Sequence, residues 1–346
     1  MALSSLQIGL IIVAVAIIIA VTIYFNTQNS PIEFPGWVHH PNQINLPSNS
    51  ICWSPELNLF CAVSIEPGGS TGTEGVIMCS SDGIQWDSYN GPTYNAWTCV
   101  CWSPELNLFC AVGAVRTQPP VMISSDGITW TLQRITDTAS WRSVCWSPEL
   151  GLFCAVGYYG SQNVMTSADG ETWTLQSTSD TRNWISVCWS PELGLFCSVS
   201  GEGDANRIMT SPDGETWTSP GETHIGLWTS ICWSSGLGMF CAVQHAIPDS
   251  TTAKVMISVD GVSWELIDGV PANNWESVTW SPELKMFCAV ASSADLGNPT
   301  MTSTDGVEWI SHEIPVNMDL RSICWSPELE SFCAVGDAGG VLLSVV

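Results

Sequence analysis

Basic side chains are scarce in this chain. Of 346 residues only 8 are Lys or Arg against 33 Asp or Glu, a formal net charge of -25. A phosphate backbone is bound by a basic stripe, so the composition excludes nucleic acid as a partner. No Lys or Arg precedes Arg116, which leaves the positive-inside rule almost nothing to count. The chain also lacks an N-x-S/T sequon, since Asn298 is followed by Pro299, and this speaks against passage through a eukaryotic secretory pathway. Metal ligands are few: His39, His40, His224, His245 and His312 follow no ligand spacing, and no Cys pair has the CxxC pattern. No metal and no cofactor is expected.

Charge is low altogether, at 12% of residues, while 19 Trp, 29 Gly and 20 Pro point to short strands and tight turns. The exception is Ile8 to Phe25, IGLIIVAVAIIIAVTIYF, an uncharged run of 18 residues. That length crosses a hydrocarbon core of roughly 30 Å as a helix. A cleaved signal peptide would carry a basic start and a small-x-small cleavage site, and MALSSLQ and NTQNSPIEF offer neither. The expected organisation is a tail over 1–6, a transmembrane helix over 7–25 in contact with membrane lipid, a linker over 26–35 and a folded domain over 36–346. The α-amino group alone favours the N-terminus inside and the domain outside, on a cell or virion membrane.

From there on the chain repeats. The tryptophan of each CW-like pair recurs at Trp53, Trp102, Trp146, Trp189, Trp233, Trp280 and Trp325, spaced 49, 44, 43, 44, 47 and 45 apart. A period near 45 signals a propeller or solenoid. Each unit holds four strand-like pieces, as in SVCWS, LFCAV, VMTS and ETWTLQ, which make the blade of a β-propeller. The seventh unit stops one strand short at VLLSVV, and GWVHH at 36–40 supplies a strand before the first unit. The expectation is an all-β, seven-bladed propeller of four-stranded antiparallel blades, its last blade completed by the N-terminal strand so that no edge stays open.

Six units carry a second turn between their third and fourth strands: SSDGIQW, SSDGITW, SADGETW, SPDGETW, SVDGVSW and STDGVEW. This wording resembles the Asp-box of BNR-repeat, sialidase-like propellers, one residue shorter than the commonest S-x-D-x-G-x-T-W form. The resemblance implies that Asp82, Asp126, Asp169, Asp213, Asp260 and Asp305 are structural turn residues on the face away from a ligand. The WSPELGLF stretch also resembles repeats of large DNA viruses and phages. Together with the six Glu of the PEL turns (Glu56, Glu105, Glu149, Glu192, Glu283 and Glu328), these aspartates are turn formers, which accounts for much of the acidity.

A PELG turn closing the first hairpin places Trp146 opposite Phe153 and Cys145 opposite Cys154. Each blade then has an aromatic face and a small, thiol-bearing face, and the bulky side of one can fill against the small side of the next. Six such Cys pairs exist among 15 Cys. Their separation is compatible with a disulfide, and they equally suit free buried thiols acting as small hydrophobes. Thr279 facing Cys288 in the sixth unit shows that the repeat tolerates no bridge there.

The PEL and DG turns share one face and are nearly uniform. The other connections, such as SIEPGGSTGTEG (64–75) and QHAIPDSTTAK (244–254), differ in every unit, and loops on a rigid scaffold are where ligands are usually met. On that face lie Trp97, Trp141, Trp184, Trp228 and Trp275, each five residues before its marker, either as a stacking platform or as caps of the blade junctions. Seven of the eight basic residues are there too, with Arg142 and Arg321 at equivalent positions beside the expected channel. A sialidase site would need clustered arginines and a tyrosine nucleophile, and no arginine-bearing motif of that family is present. The expected function is therefore non-catalytic recognition or adhesion, of a glycan or a protein, through the loop face. A glycoside hydrolase working through two carboxylates, or a sialidase-like enzyme, is the alternative.

Overall fold

The computed structural model describes residues 34, 36–41, 47–67, 75–92, 96–114, 120–133, 135, 139–158, 162–178, 182–201, 207–220, 225–246, 253–292, 297–337 and 340–345. The run at 7–25 lies outside the described residues; among those described, no helix is long and apolar enough to cross a membrane. The chain is an all-β propeller, with Pro35–Val346 forming one compact unit.

The third repeat shows the local logic. Strand Ser140–Ser147 pairs with Leu152–Tyr158, which pairs with Val164–Ser167, which pairs with Thr174–Gln176. Trp146 faces Phe153 and Cys145 faces Cys154, the register that the turn spacing predicts. The turn between them needs a left-handed residue at its fourth position, and Gly151 supplies it at φ 59°. Repeats six and seven put Lys285 and Glu330 there at φ 48° and 50°, against the preference of a residue with a Cβ.

Strand Trp37–Pro41 pairs with Gly340–Ser344, giving the spatial order Trp37–Pro41, Gly340–Ser344, Ser331–Gly336, Leu320–Ser326. The N-terminal strand thus completes the last repeat. Strand pairing nevertheless departs from seven separate four-stranded blades, because among the described residues it gives six sheets. Repeats two and three join into one eight-stranded sheet through a single pairing, Ser140 with Ala114. Repeat four keeps three strands, its outer one reduced to the bridge Thr210–Thr218. Pro220 follows that bridge closely, and a proline has no N–H to extend a ladder.

Two rings of hydrogen bonds tie the repeats together. Near the axis, an inner-strand serine of one repeat accepts from a backbone N–H of the next: Ser50 from Val100, Ser143 from Val187, Ser186 from Ile231, Ser230 from Val278, Ser277 from Ile323, and Ser322 back to Ile51. Nearer the turns, the marker indole donates to the PEL glutamate of the preceding repeat at 2.5 to 2.6 Å, as Trp189 does to Glu149 and Trp53 to Glu328. Each ring has one gap. Cys99 stands in the serine position of repeat two, where its Sγ lies 3.7 Å from the Val144 carbonyl oxygen. Gly236 stands in the glutamate position of repeat five, and the Trp280 N–H is left buried without a partner.

The first gap gives a prediction. Cys99→Ser restores the hydroxyl that accepts from the next strand elsewhere, and should raise stability by about 0.5–1.5 kcal/mol, read as a higher denaturant midpoint at unchanged slope. An unchanged or lower midpoint would mean that the inner ring adds nothing.

The core lies between repeats. Trp97, Val100, Trp102 and Phe109 of repeat two pack on Cys61, Val63, Ile77 and Cys79 of repeat one, aromatic face against thiol face. The same arrangement closes the circle, with Trp53 and Phe60 of repeat one against Cys333, Val335 and Leu343 of repeat seven. Within each repeat the marker indole meets its facing Phe at ring centroids 4.5 to 4.7 Å apart, most of them edge-on.

Candidate functional site

The inner strands are not regular. In repeats two to seven the ladder skips one residue just after its start: Thr98, Arg142, Ile185, Thr229, Glu276 and Arg321 have no cross-strand partner. Asn49 takes the equivalent place in repeat one, directly before strand Ser50–Ser54. A bulge re-aims the extra side chain and ends regular pairing. The result is seven half-buried side chains, six of them polar, at one repeat position on the loop face.

The bulge also explains the five tryptophans. Residues five apart on a regular strand point to opposite sides. With one residue bulged out, Trp97 and Trp102 fall on the same side and enter the same cluster. Trp97, Trp141, Trp184, Trp228 and Trp275 are all 0% exposed, and Leu320 and Ser48 fill the equivalent places at 0% and 1%. The stacking platform is corrected: a surface ligand meets no face of these rings, because they cap the seams between repeats. Trp275 donates its N–H to the Pro271 carbonyl oxygen, whereas the N–H groups of Trp97, Trp141 and Trp184 are buried without a partner.

The bulged residues divide by what they touch. Asn49 donates to the Trp97 carbonyl oxygen, Thr98 to that of Trp141 and Thr229 to that of Trp275, each reaching across a seam. Arg142 stacks its guanidinium 4.4 Å from the centre of the Tyr158 ring. Repeats five to seven bring charges together. His245 Nε2, at the end of a second strand, lies 3.1 Å from Glu276 Oε1, near enough for an ion pair though off the line of a hydrogen bond. Arg321 makes a two-pronged bond to Asp337, Nε to Oδ1 and Nη2 to Oδ2, both at 3.0 Å.

Electrostatics favour the ionised forms of Glu276 and Arg321. Burial pushes the Glu276 carboxyl up, but His245, the Ser292 hydroxyl and Arg321 outweigh it, and the group sits below the usual glutamate value. The Asp337 carboxylate, against a smaller opposing effect of burial, raises the Arg321 guanidinium above its ordinary value. His245, Glu276 and Asp337 were not marked by the sequence, which offered no pattern for them. The odd spacing of two buried tryptophans per repeat was the one available sign of a bulge. Outside this ring, a hollow of about 240 Å³ lies beside Pro299 and Pro315 of repeat six, on the loop face. A second, of about 300 Å³, lies on the turn face beside Asp169 and Glu215.

The S-x-D-G turns are built alike. In the third repeat Asp169 Oδ1 accepts from the Ser167 hydroxyl and from the backbone N–H groups of Glu171 and Thr172, at 2.7 to 3.0 Å. Ser167 in turn accepts from Gly170, and the Trp173 indole donates to the Gly170 carbonyl oxygen. Gly170 is at φ +74°, and a Cβ there would come within 2.8 Å of Leu108. Asp82, Asp126, Asp213, Asp260 and Asp305 hold the same bonds in their own turns. Every one of the six is occupied by its turn.

Burial raises the Asp169 carboxyl, while the turn N–H and hydroxyl donors lower it by more, leaving it below the ordinary value. A depressed carboxyl contributes stability above its unfolded value, about pH 3.9, and that contribution is lost as pH falls through the folded one. Asp169→Ala should therefore lower stability at neutral pH by on the order of 1 kcal/mol per lost bond, less where water replaces the carboxylate. The difference from the parent chain should shrink in acid, where only the neutral carboxyl's weaker bonds remain. A difference as large below both values as at neutral pH would refute this account.

These observations define a class: a repeat β-propeller with a uniform turn face and a variable loop face. No protein-family model and no curated protein matches the chain. A solved structure described as YCF48 bound to D1 peptide shares the fold, with a TM-score of 0.66 and 15% identity, covering 91% of this chain and all of that one.

Proposed function

We propose that this protein is a membrane-anchored, non-catalytic recognition propeller that binds an extended peptide segment of a partner protein across its loop face. One observation carries the reading: five residue types, Asn, Thr, Arg, Ile and Glu, share one structural position across seven near-identical repeats, taken out of the ladder by a bulge in six of them. A structural requirement would make that position uniform, as the turn aspartates are. A peptide fits better than a glycan because the tryptophans that would stack on sugars are buried, and the YCF48 propeller is described with a bound peptide. Among the described residues Arg142, Arg207 and Arg321 engage separate partners, Tyr158, Gly226 and Asp337, and do not converge on one site. That weighs against a sialidase-like site, which needs clustered arginines.

The same reading takes the seven repeats as seven blades, the S-x-D-G turns as Asp-boxes of the BNR type, and 7–25 as the anchor. Selection of a displayed peptide library on the full chain, beside a glycan array and a fluorogenic glycosidase panel, tests it. A selected peptide should bind at least about tenfold more weakly to Glu276→Ala or Arg321→Ala, a loss of about 1.4 kcal/mol, and unchanged to the turn-face variant Leu150→Ala. Binding of glycans alone overturns the ligand class, loss with Leu150→Ala overturns the face, and turnover overturns the non-catalytic role. Deleting 7–25 should release the protein from membranes in alkaline carbonate; continued membrane association would remove the anchor.

A further inference from the structure

Twelve of the fifteen thiols stand as six directly facing pairs, from Cys52–Cys61 in repeat one to Cys324–Cys333 in repeat seven. In every pair the inner-strand cysteine as a whole residue is half-buried and the second-strand cysteine is buried. All are free, and repeat six breaks the series with Thr279 opposite Cys288. Facing residues of an antiparallel ladder have Cα atoms roughly 4.5–5.5 Å apart, so the two sulfurs are within reach of one ion.

The donor set narrows the ion. Among the described residues no group of three or more His, Cys, Asp or Glu side chains can hold a metal, which excludes four-coordinate zinc and iron–sulfur clusters there. Two thiols alone suit a soft cation satisfied by two ligands. Charge selects its valence. Two thiolates with a monovalent ion leave a net negative charge in the core, whereas a divalent ion gives a neutral complex, and unpaired buried charge is costly. Burial holds both thiols of a pair, such as Cys145 and Cys154, well above the ordinary thiol value, so they are protonated until a metal displaces the protons.

We propose that the six facing pairs are six binding sites for a soft divalent d10 cation, mercuric ion being the simplest, each held linearly between an inner-strand and a second-strand sulfur. Binding breaks two S–H bonds, forms two S–Hg bonds and releases two protons to solvent, with no change of oxidation state. Cys99 faces Val112 and adds no site; Cys79 faces Cys61 from its other side and competes for the same ion.

Native mass spectrometry of the full chain, after mercuric chloride and removal of excess, tests this independently of what the loop face binds. Six ions per chain are expected, each replacing two protons, with none of zinc. Thr279→Cys should raise the number to seven, Cys145→Ser should lower it to five, and Cys288→Ser should leave six. X-ray absorption should find two sulfur neighbours per mercury. If Cys145→Ser fails to fold, Thr279→Cys carries the test, since the two side chains are close in size. A count unmoved by Thr279→Cys, a count lowered by Cys288→Ser, or uptake only after denaturation overturns the proposal.

Discussion

Removing residues 36–41 should destabilise the whole propeller, lowering its melting temperature by roughly 10 °C or more at about 2–4 °C per kcal/mol. The strand Trp37–Pro41 contributes five cross-strand partners to Gly340–Ser344. Trp37 is 8% exposed, and its indole donates to the Thr300 hydroxyl of repeat six at 2.9 Å. Truncating a buried tryptophan alone costs about 3–5 kcal/mol, a large share of the roughly 5–15 kcal/mol that holds a domain folded. Deletion also leaves Gly340–Ser344 as an open edge, a template for association. Calorimetry of the full chain and the deletion decides the matter. Equal melting temperatures would show that the strand exchange is dispensable and that the ring is held by its inner hydrogen bonds alone.

The second large effect concerns the loop-face tryptophans. Trp184→Ala should cost about 3–5 kcal/mol of stability, because the ring is 0% exposed and sits among Cys154, Val156, Val187 and Trp189 at the seam between repeats three and four. Arg321→Ala, at a half-exposed ion pair, should cost no more than about 1 kcal/mol. The two residues lie on the same face and separate two roles. Denaturant titration should show the tryptophan variant strongly destabilised, and peptide affinity should fall selectively in the arginine variant. A stable Trp184→Ala protein that had lost its ligand would restore the aromatic platform.

Much of the fold was legible because the repeat states its own geometry many times. A PELG turn of fixed length fixes the hairpin register, so Cys145 opposite Cys154 and Thr279 opposite Cys288 followed from counting. The missing fourth strand of the last repeat and the spare strand at Trp37 followed the same way. The turn aspartates were legible as well, since a side chain that caps its own turn needs nothing distant.

The sheet count was not legible, because it depends on where one repeat's strand end meets the next: one pairing, Ser140 with Ala114, merges two repeats. The Trp–Glu links were equally hidden, since Glu149 looks like a turn former until Trp189 of the next repeat arrives above it. The bulge decided the candidate site. By turning one residue out of the inner strand in repeats two to seven it buried five tryptophans that the sequence left open between a stacking platform and seam caps, and it set Glu276 beside His245 from another repeat. Local turns and hairpin register were therefore determined by the sequence alone, because their partners lie within a few residues. What stands out on the loop face and what fills the seams was decided only by closing the ring, because those contacts join residues roughly one repeat apart in the chain and have no energy until the neighbouring repeat is in place.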